Sequence, residues 1–135
     1  MSKPAIPISK KDFIAAKKRD VVDGIDFGQV GDVVSVDALE IQKLFKEHDM
    51  IIMPSLVLDK NTADVLNVNA DTIATELAVN LSASKLIFIS DVPYIKDLKG
   101  ERISSVDENV AKKLFDEKII SDGMVVKVEN SLKAL

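Results

Sequence analysis

The chain has no cysteine, no tryptophan, one histidine and one tyrosine, and aromatic residues make up only 4% of it. Without cysteine there is no disulfide framework, no thiolate metal site and no cysteine nucleophile. One histidine, His48, cannot supply a histidine-rich zinc site, and a histidine-based triad is not expected. It falls in "KEHDM", near the end of a predicted helix, and reads as a surface residue or a C-terminal cap. No apolar run approaches the ~18 residues of a transmembrane helix. The N-terminus lacks the apolar core of a signal peptide, so the cytoplasm is the expected compartment and no membrane partner is expected. Positive charge is scarce as well: the net charge is −4. A duplex-binding surface needs clustered Lys and Arg. "SKKDFIAAKKR" is locally basic, but acids follow it, and it lacks the interleaved aromatics of a stacking platform. Nucleic acid is therefore not an expected partner. The five glycines include no adjacent pair. "GQVG" lies between predicted strands and opens no helix, so Gly28 and Gly31 read as hairpin and bulge positions. No Walker A signature and no protein-kinase motif set occurs.

What is present suits a folded domain. The chain has 135 residues, of which 47% are apolar and 30% charged. That length buries roughly two-thirds of the unfolded surface, enough for a core. Two hydrophobic periods alternate along it. "DFIAAKKR" and "IDFGQVGDVVSV" read as strands of an N-terminal β-hairpin, joined through "DVVDG". Asp37 opens the helical pattern "DALEIQKLFKEHD", with Asp37 and Glu40 spaced as a capping box and Ile41, Leu44 and Phe45 as the buried stripe. "MIIMPSLVL" reads as one strand covered on both faces. After the turn "DKNTAD" comes "VLNVNAD", then a helix carrying Ile73, Leu77 and Leu81. "KLIFISDV" reads as a second buried strand and "DLKGERI" as a turn. Ser105 and Glu108 have capping-box spacing ahead of "ENVAKKLFDEK", whose Ala111, Leu114 and Phe115 face inward. A last helix, from "SDGM", places Val128, Leu132 and Leu135 on one face and reaches the end of the chain without a stop signal. Strand, helix, strand, helix, strand, helix, helix predicts an α/β fold, a layered, mostly parallel sheet with flanking helices.

In such sheets ligands sit beyond the carboxyl ends of strands, against helix N-termini. Three polar clusters fall there: Asn67, Asn69 and Asp71; Ser90 and Asp91; and "SDGMVVK" with Lys127. From position alone, Lys127 is either a solvated lysine or one directed at a phosphate, since a helix N-terminus favours anions and disfavours a lysine. Asp71 alone reads as a first-turn acid, and Asn67 alone as a turn residue.

Taken together, "VDGIDFGQVGDVVSVD", "LNVNADTIATELA", "KLIFISDV" and "IISDGMVVKVENSLKAL" resemble the N-acetyl-L-glutamate kinases of the amino-acid kinase family. The likeness runs from about Phe13 to Leu135, and the pair "NVNAD" and "DGMVVKVE" is its most specific part. The resemblance implies an amino-acid-kinase-like fold truncated at both ends. Residues 1–135 would form a single compact unit, with residues 1–84 from the amino-acid-substrate lobe and 85–135 from the nucleotide lobe. It implies transfer of the γ-phosphoryl group of ATP, carried with Mg²⁺, onto the side-chain carboxylate of N-acetyl-L-glutamate, a step of arginine biosynthesis. By the same resemblance Lys127 would neutralise the transferring phosphoryl group, Asp71 would orient the catalytic lysines, and Asn67 would hold the substrate. Asp91, Val92, Pro93, Tyr94, Ile95 and Lys96, with Ile119, Ile120 and Ser121, would line the nucleotide site. No metal site of the protein's own is expected.

The chain also departs from the family. It has no counterpart to the family's glycine-rich phosphate loop, substrate-gripping arginine or second catalytic lysine. Tyr94 stands where the family usually has glycine after "SDVP", as does Val57 where glycine is frequent. "PISKKDF" lacks hairpin glycines. The isolated chain is therefore expected not to complete the reaction. Alternatives are a non-catalytic binding or assembly module, self-associating into a homo-oligomer through unpaired sheet edges, and a relative of the glutamate 5-kinase or aspartate kinase type.

Overall fold

The structure is a computed structural model, and it describes residues 5–7 and 13–135. The basic stretch at residues 9–12, with most of "PISKKDF", lies outside the described residues. The chain divides into two compact units, Met1–Ser84 and Lys85–Leu135.

In the first unit, β1 (Ala5–Pro7) pairs in parallel with β4 (Met50–Ile52). A four-stranded sheet has the order β3-β2-β5-β6, with β2 at Ile14–Lys18, β3 at Gly31–Val36, β5 at Leu56–Asp59 and β6 at Val65–Asn67. β2 pairs with β5 in parallel, while β2–β3 and β5–β6 are antiparallel. The α/β class and the N-terminal hairpin are thus as the sequence predicts. The hairpin's far end is a two-residue turn in which Asp23 (φ 52°) and Gly24 (φ 78°) are both left-handed, as a type I′ turn requires. Beyond that turn, Ile25 and Val30 make only single bridges, to Val22 and Asn67, and β3 itself starts at Gly31. The Asp26 carboxylate instead accepts from the N–H of Gly28 at 2.8 Å, a local turn that competes with strand pairing. Gly31 is buried against Leu66, and a Cβ there would lie 2.8 Å from Leu66 Cδ1.

"MIIMPSLVL" is not one strand. Pro54 separates β4 from β5, and the two lie in different sheets, because proline offers no N–H to a ladder. Nor is the run covered on both faces, since Met50 is 57% and Leu56 58% exposed.

Helix α1 (Ala38–Glu47) starts where expected: the Asp37 carboxylate accepts from Glu40 N–H at 3.0 Å. Its C-cap is His48, whose N–H donates to Leu44 O. Ile41 is fully buried, but Phe45 is 46% exposed, so the buried stripe is narrower than its spacing suggests. Helix α2 (Ala70–Leu81) is capped by Asn69, which accepts from Thr72 N–H at 3.1 Å. The core joins Ile14 and Ala16 of β2, Val57 of β5, Leu66 of β6, Val68, and Ile73 of α2. Val57 therefore points into this core.

In the second unit, residues 85–90 form no strand, contrary to the expectation for "KLIFISDV". Ile87 is 75% and Ile89 95% exposed, while Leu86 and Phe88 are half-buried. The alternation is that of a strand, but among the described residues nothing pairs with it, and an extended segment without a ladder has no strand hydrogen bonds. Instead of a simple turn, "DLKGERI" closes a short hairpin of β7 (Ile95–Lys96) and β8 (Arg102–Ile103), its bend held by Asp97, which accepts from Lys99 N–H and Glu101 N–H. Helix α3 (Glu108–Asp116) is capped by Asp107, not Ser105: the Asp107 carboxylate accepts from Val110 N–H at 2.8 Å. Helix α4 (Asp122–Lys133) follows, and Val128 is buried on it while Leu135, beyond its end, is 94% exposed.

Candidate functional site

In the first unit the three clustered polar residues occupy three different settings. Asn67 ends β6 opposite Leu56, and its N–H donates to Gln29 O at 2.7 Å. Its neighbours Leu66 and Val68 are buried, so the alternation of a strand turns the Asn67 side chain to the other, exposed face. Asn69 is the cap of α2. Asp71 lies in the first turn of α2, where its carbonyl accepts from the hydroxyl of the buried Thr75 at 2.8 Å. Only one of the three polar residues is needed to cap the helix.

An apolar cavity of about 270 Å³ also lies in this unit, between α1 and α2, with Phe45, Met53, Leu77 and Leu81 in its walls. Few polar groups converge on it, which makes it a poor match to a ligand site. Charge chemistry in the unit is structural. Asp59, buried at the end of β5, accepts from the N–H groups of Asn61 (2.7 Å), Lys18 (2.9 Å) and Thr62 (3.1 Å). These bonds, led by Asn61, hold its carboxyl below the usual carboxylate range, because they favour the charged form. Asp32 is likewise held low by the guanidinium of Arg19.

The second unit holds a larger cavity, about 670 Å³, within the size range of small-molecule sites. Every residue expected to line a nucleotide site, Asp91–Lys96 with Ile119, Ile120 and Ser121, lies in its wall, and so does Lys127. Local structure explains how they arrive. After α3 the chain turns through Lys118, which is left-handed (φ 52°). Ile119 N–H donates to Leu114 O at 3.0 Å, and Lys118 N–H to Phe115 O at 3.1 Å, the bond pair of a Schellman ending. This turn delivers Ile119 and Ile120 to the wall and Ser121 to the N-cap of α4. On the other strand of the chain, Val92 N–H donates to the hydroxyl of Ser90, which donates to Asp91 Oδ1, both at 3.3 Å.

The cavity wall holds two lysines and the aromatic ring of Tyr94, with Phe88 beyond the wall. Lys96 Nζ lies 5.7 Å from the centroid of the Tyr94 ring, and Lys127 Nζ lies 5.8 Å from that of Phe88, both within cation–π range. The N-terminus of α4 adds N–H groups and the positive end of a helix dipole. An anion with an apolar or aromatic portion suits this lining. Gly123 and Met124 also line the cavity, and sequence reasoning did not assign them. Asn67 and Asp71 belong to the first unit and Lys127 to the second. Among the described residues no group of three or more His, Asp or Glu gathers in metal-binding fashion, and no helix is long and apolar enough to cross a membrane.

The sequence profile of the Amino acid kinase family matches residues 2–135. The chain belongs to the amino acid kinase family. Among its relatives in that family, an acetylglutamate kinase of Buchnera aphidicola subsp. Acyrthosiphon pisum (strain 5A) is 42% identical over 109 residues, covering 81% of this chain and 42% of the relative. An acetylglutamate kinase of Pseudothermotoga lettingae is 37% identical over 134 residues, covering 97% of this chain and 46% of the relative. The chain thus spans less than half the length of these amino acid kinases. Among solved structures, smu.665 from Streptococcus mutans UA159 superposes with a TM-score of 0.80 at 30% identity, over 98% of this chain and 52% of that one.

Proposed function

We propose that the chain is the central portion of an N-acetyl-L-glutamate kinase. In this reading residues 1–84 are the latter part of the amino-acid-substrate lobe and 85–135 the first part of the nucleotide lobe. One observation carries it: a single cavity gathers Asp91–Lys96, Ile119–Ser121 and the first turn of α4 with Lys127 one turn on, a lining suited to the phosphates of ATP.

The chemistry fits the residues at hand. The acceptor, the side-chain carboxylate of N-acetylglutamate, is ionised at neutral pH and needs no general base, so a chain with one histidine is not handicapped. Its oxygen attacks the γ-phosphorus while the bond to the β-phosphate oxygen breaks, giving an acyl phosphate and ADP. The difficulty is bringing an anion up to anionic phosphates, which makes positioning and electrostatic stabilisation the main tasks. In this reading Lys127 supplies positive charge at the phosphoryl group, while Asn67 would hold the acetylglutamate and Asp71 would orient the catalytic lysines of the whole enzyme. Mg²⁺ arriving with the nucleotide neutralises its phosphates. Without a counterpart to the glycine-rich loop and the second lysine, the isolated chain is expected not to turn over. A non-catalytic binding module is the second reading, and the same absence favours it.

Titration of Mg-ATP into the folded chain by calorimetry, beside a hydroxamate assay for acyl phosphate, tests this. The expected result is binding that is lost in Lys127→Ala, with no acyl phosphate formed. A folded chain that binds no Mg-ATP overturns the nucleotide reading. Acyl phosphate made by the chain and lost in Lys127→Ala overturns the claim of inactivity.

A further inference from the structure

Tyr94 gives the cavity of the second unit a property that its cations and helix end do not. It lines the cavity and remains 38% exposed. The Lys96 ammonium, itself in the cavity wall, sits over the Tyr94 ring at 5.7 Å from the centroid. The backbone of Tyr94 is not left-handed, so nothing in its conformation calls for glycine, and the side chain stands in the wall without backbone strain. The same cavity is lined by Gly123, where bare backbone faces open space at the start of α4. One wall element is thus aromatic, and another is a helix N-terminus close to Lys127. A ligand matching both carries a flat aromatic group and a chain of negative charge.

We propose that Tyr94 is the base platform of this cavity: a purine stacks on the partly exposed tyrosine ring, while the attached phosphates lie toward the N-terminus of α4. This rests on the nucleotide reading above and adds to it a residue that selects for the base. Stacking is tolerant of sequence and strong for its size: removing an aromatic platform typically weakens binding about 5- to 150-fold per base. A cation over the ring keeps it oriented. The competing possibility is that the ring fills space a nucleotide needs. The two make opposite predictions for the same substitution.

The chain reports on itself, because Tyr94 is its only tyrosine and it has no tryptophan. Its ultraviolet emission therefore comes from the residue in question. Mg-ATP and Mg-tripolyphosphate are each titrated into the chain by fluorescence, with N-acetyltyrosinamide as the control for absorption by the nucleotide, and into the chain, Tyr94→Ala and Tyr94→Phe by calorimetry. Circular dichroism checks that each variant is folded. The expected result has three parts. Mg-ATP quenches the emission saturably, and Mg-tripolyphosphate binds without quenching it. Tyr94→Ala weakens Mg-ATP about 5- to 150-fold and leaves tripolyphosphate unchanged. Tyr94→Phe keeps most of the affinity. Mg-ATP binding that is unchanged in Tyr94→Ala overturns the platform, and tighter binding overturns it and makes the ring an obstruction. ATP and tripolyphosphate binding alike, with no quenching, also overturns the platform while leaving the phosphate half of the nucleotide reading intact. Binding of neither by the folded chain removes the nucleotide reading, and the platform with it.

Discussion

Residues 50–58 and 85–90 are two apolar runs of similar character with different outcomes. In the first run, β5 lies between two neighbours, parallel to β2 and antiparallel to β6, and Val57 is buried in the core. The second keeps a strand's alternation, with Leu86 and Phe88 inward and Ile87 and Ile89 outward, yet it has no ladder among the described residues. The comparison separates two requirements that an apolar run by itself confuses. Side-chain pattern decides which face turns inward. Backbone partners decide whether the segment becomes a strand.

Amide hydrogen exchange probes the contrast most strongly. The amides of β2 and β5 should exchange only when the first unit opens as a whole, whereas those of residues 86–90 should exchange near the free-peptide rate. Equal protection in the two runs would erase the distinction. Next comes packing. Leu66→Ala removes a fully buried core side chain from β6, the edge strand of the four-stranded sheet, and should destabilise by about 2–5 kcal/mol in denaturant unfolding; a loss below about 1 kcal/mol would show that the sheet collapses around the gap. Acid offers a third handle. The folded state holds the Asp59 carboxyl below its ordinary value, so its stabilisation is present above about pH 4 and is lost as pH falls through the folded value. Asp59→Asn should flatten that acid limb of the unfolding midpoint, and an unaltered limb would place the acid sensitivity elsewhere. The smallest effect belongs to the unpaired run: with Ile89 95% exposed, Ile89→Ser should change stability by less than about 0.5 kcal/mol. A larger loss would mean that a partner covers this face in solution.

Much of the fold is legible in single residues. Asp37 and Asn69 each mark a helix start by a side-chain acceptor placed three residues before the N–H it satisfies. Asp107 and Ser105 both suit the start of α3, and spacing alone favours Ser105 with Glu108. The choice is made by which oxygen reaches Val110 N–H, a matter of backbone path that spacing does not carry. Pro54 is a visible break, but the hydrophobic run around it masks the break. The cavity lining was legible by another route. Ile119, Ile120 and Ser121 show no period that marks them as a wall; they stand out through the motifs around them, and a left-handed turn folds them into place. Gly123 and Met124 were missed because a helix's first turn looks alike in sequence whether or not a cavity faces it.

That left-handed turn has a mechanical consequence. Lys118 holds a conformation that a side chain disfavours by about 1–3 kcal/mol, where glycine would rest without strain. Glycine would also let the segment fan out over many backbone paths. A lysine has far fewer alternatives, so the surrounding bonds hold it in one path or lose it altogether. The link from α3 to α4 therefore has few alternative backbone paths, and Ile119 and Ile120 of the cavity wall share that restriction.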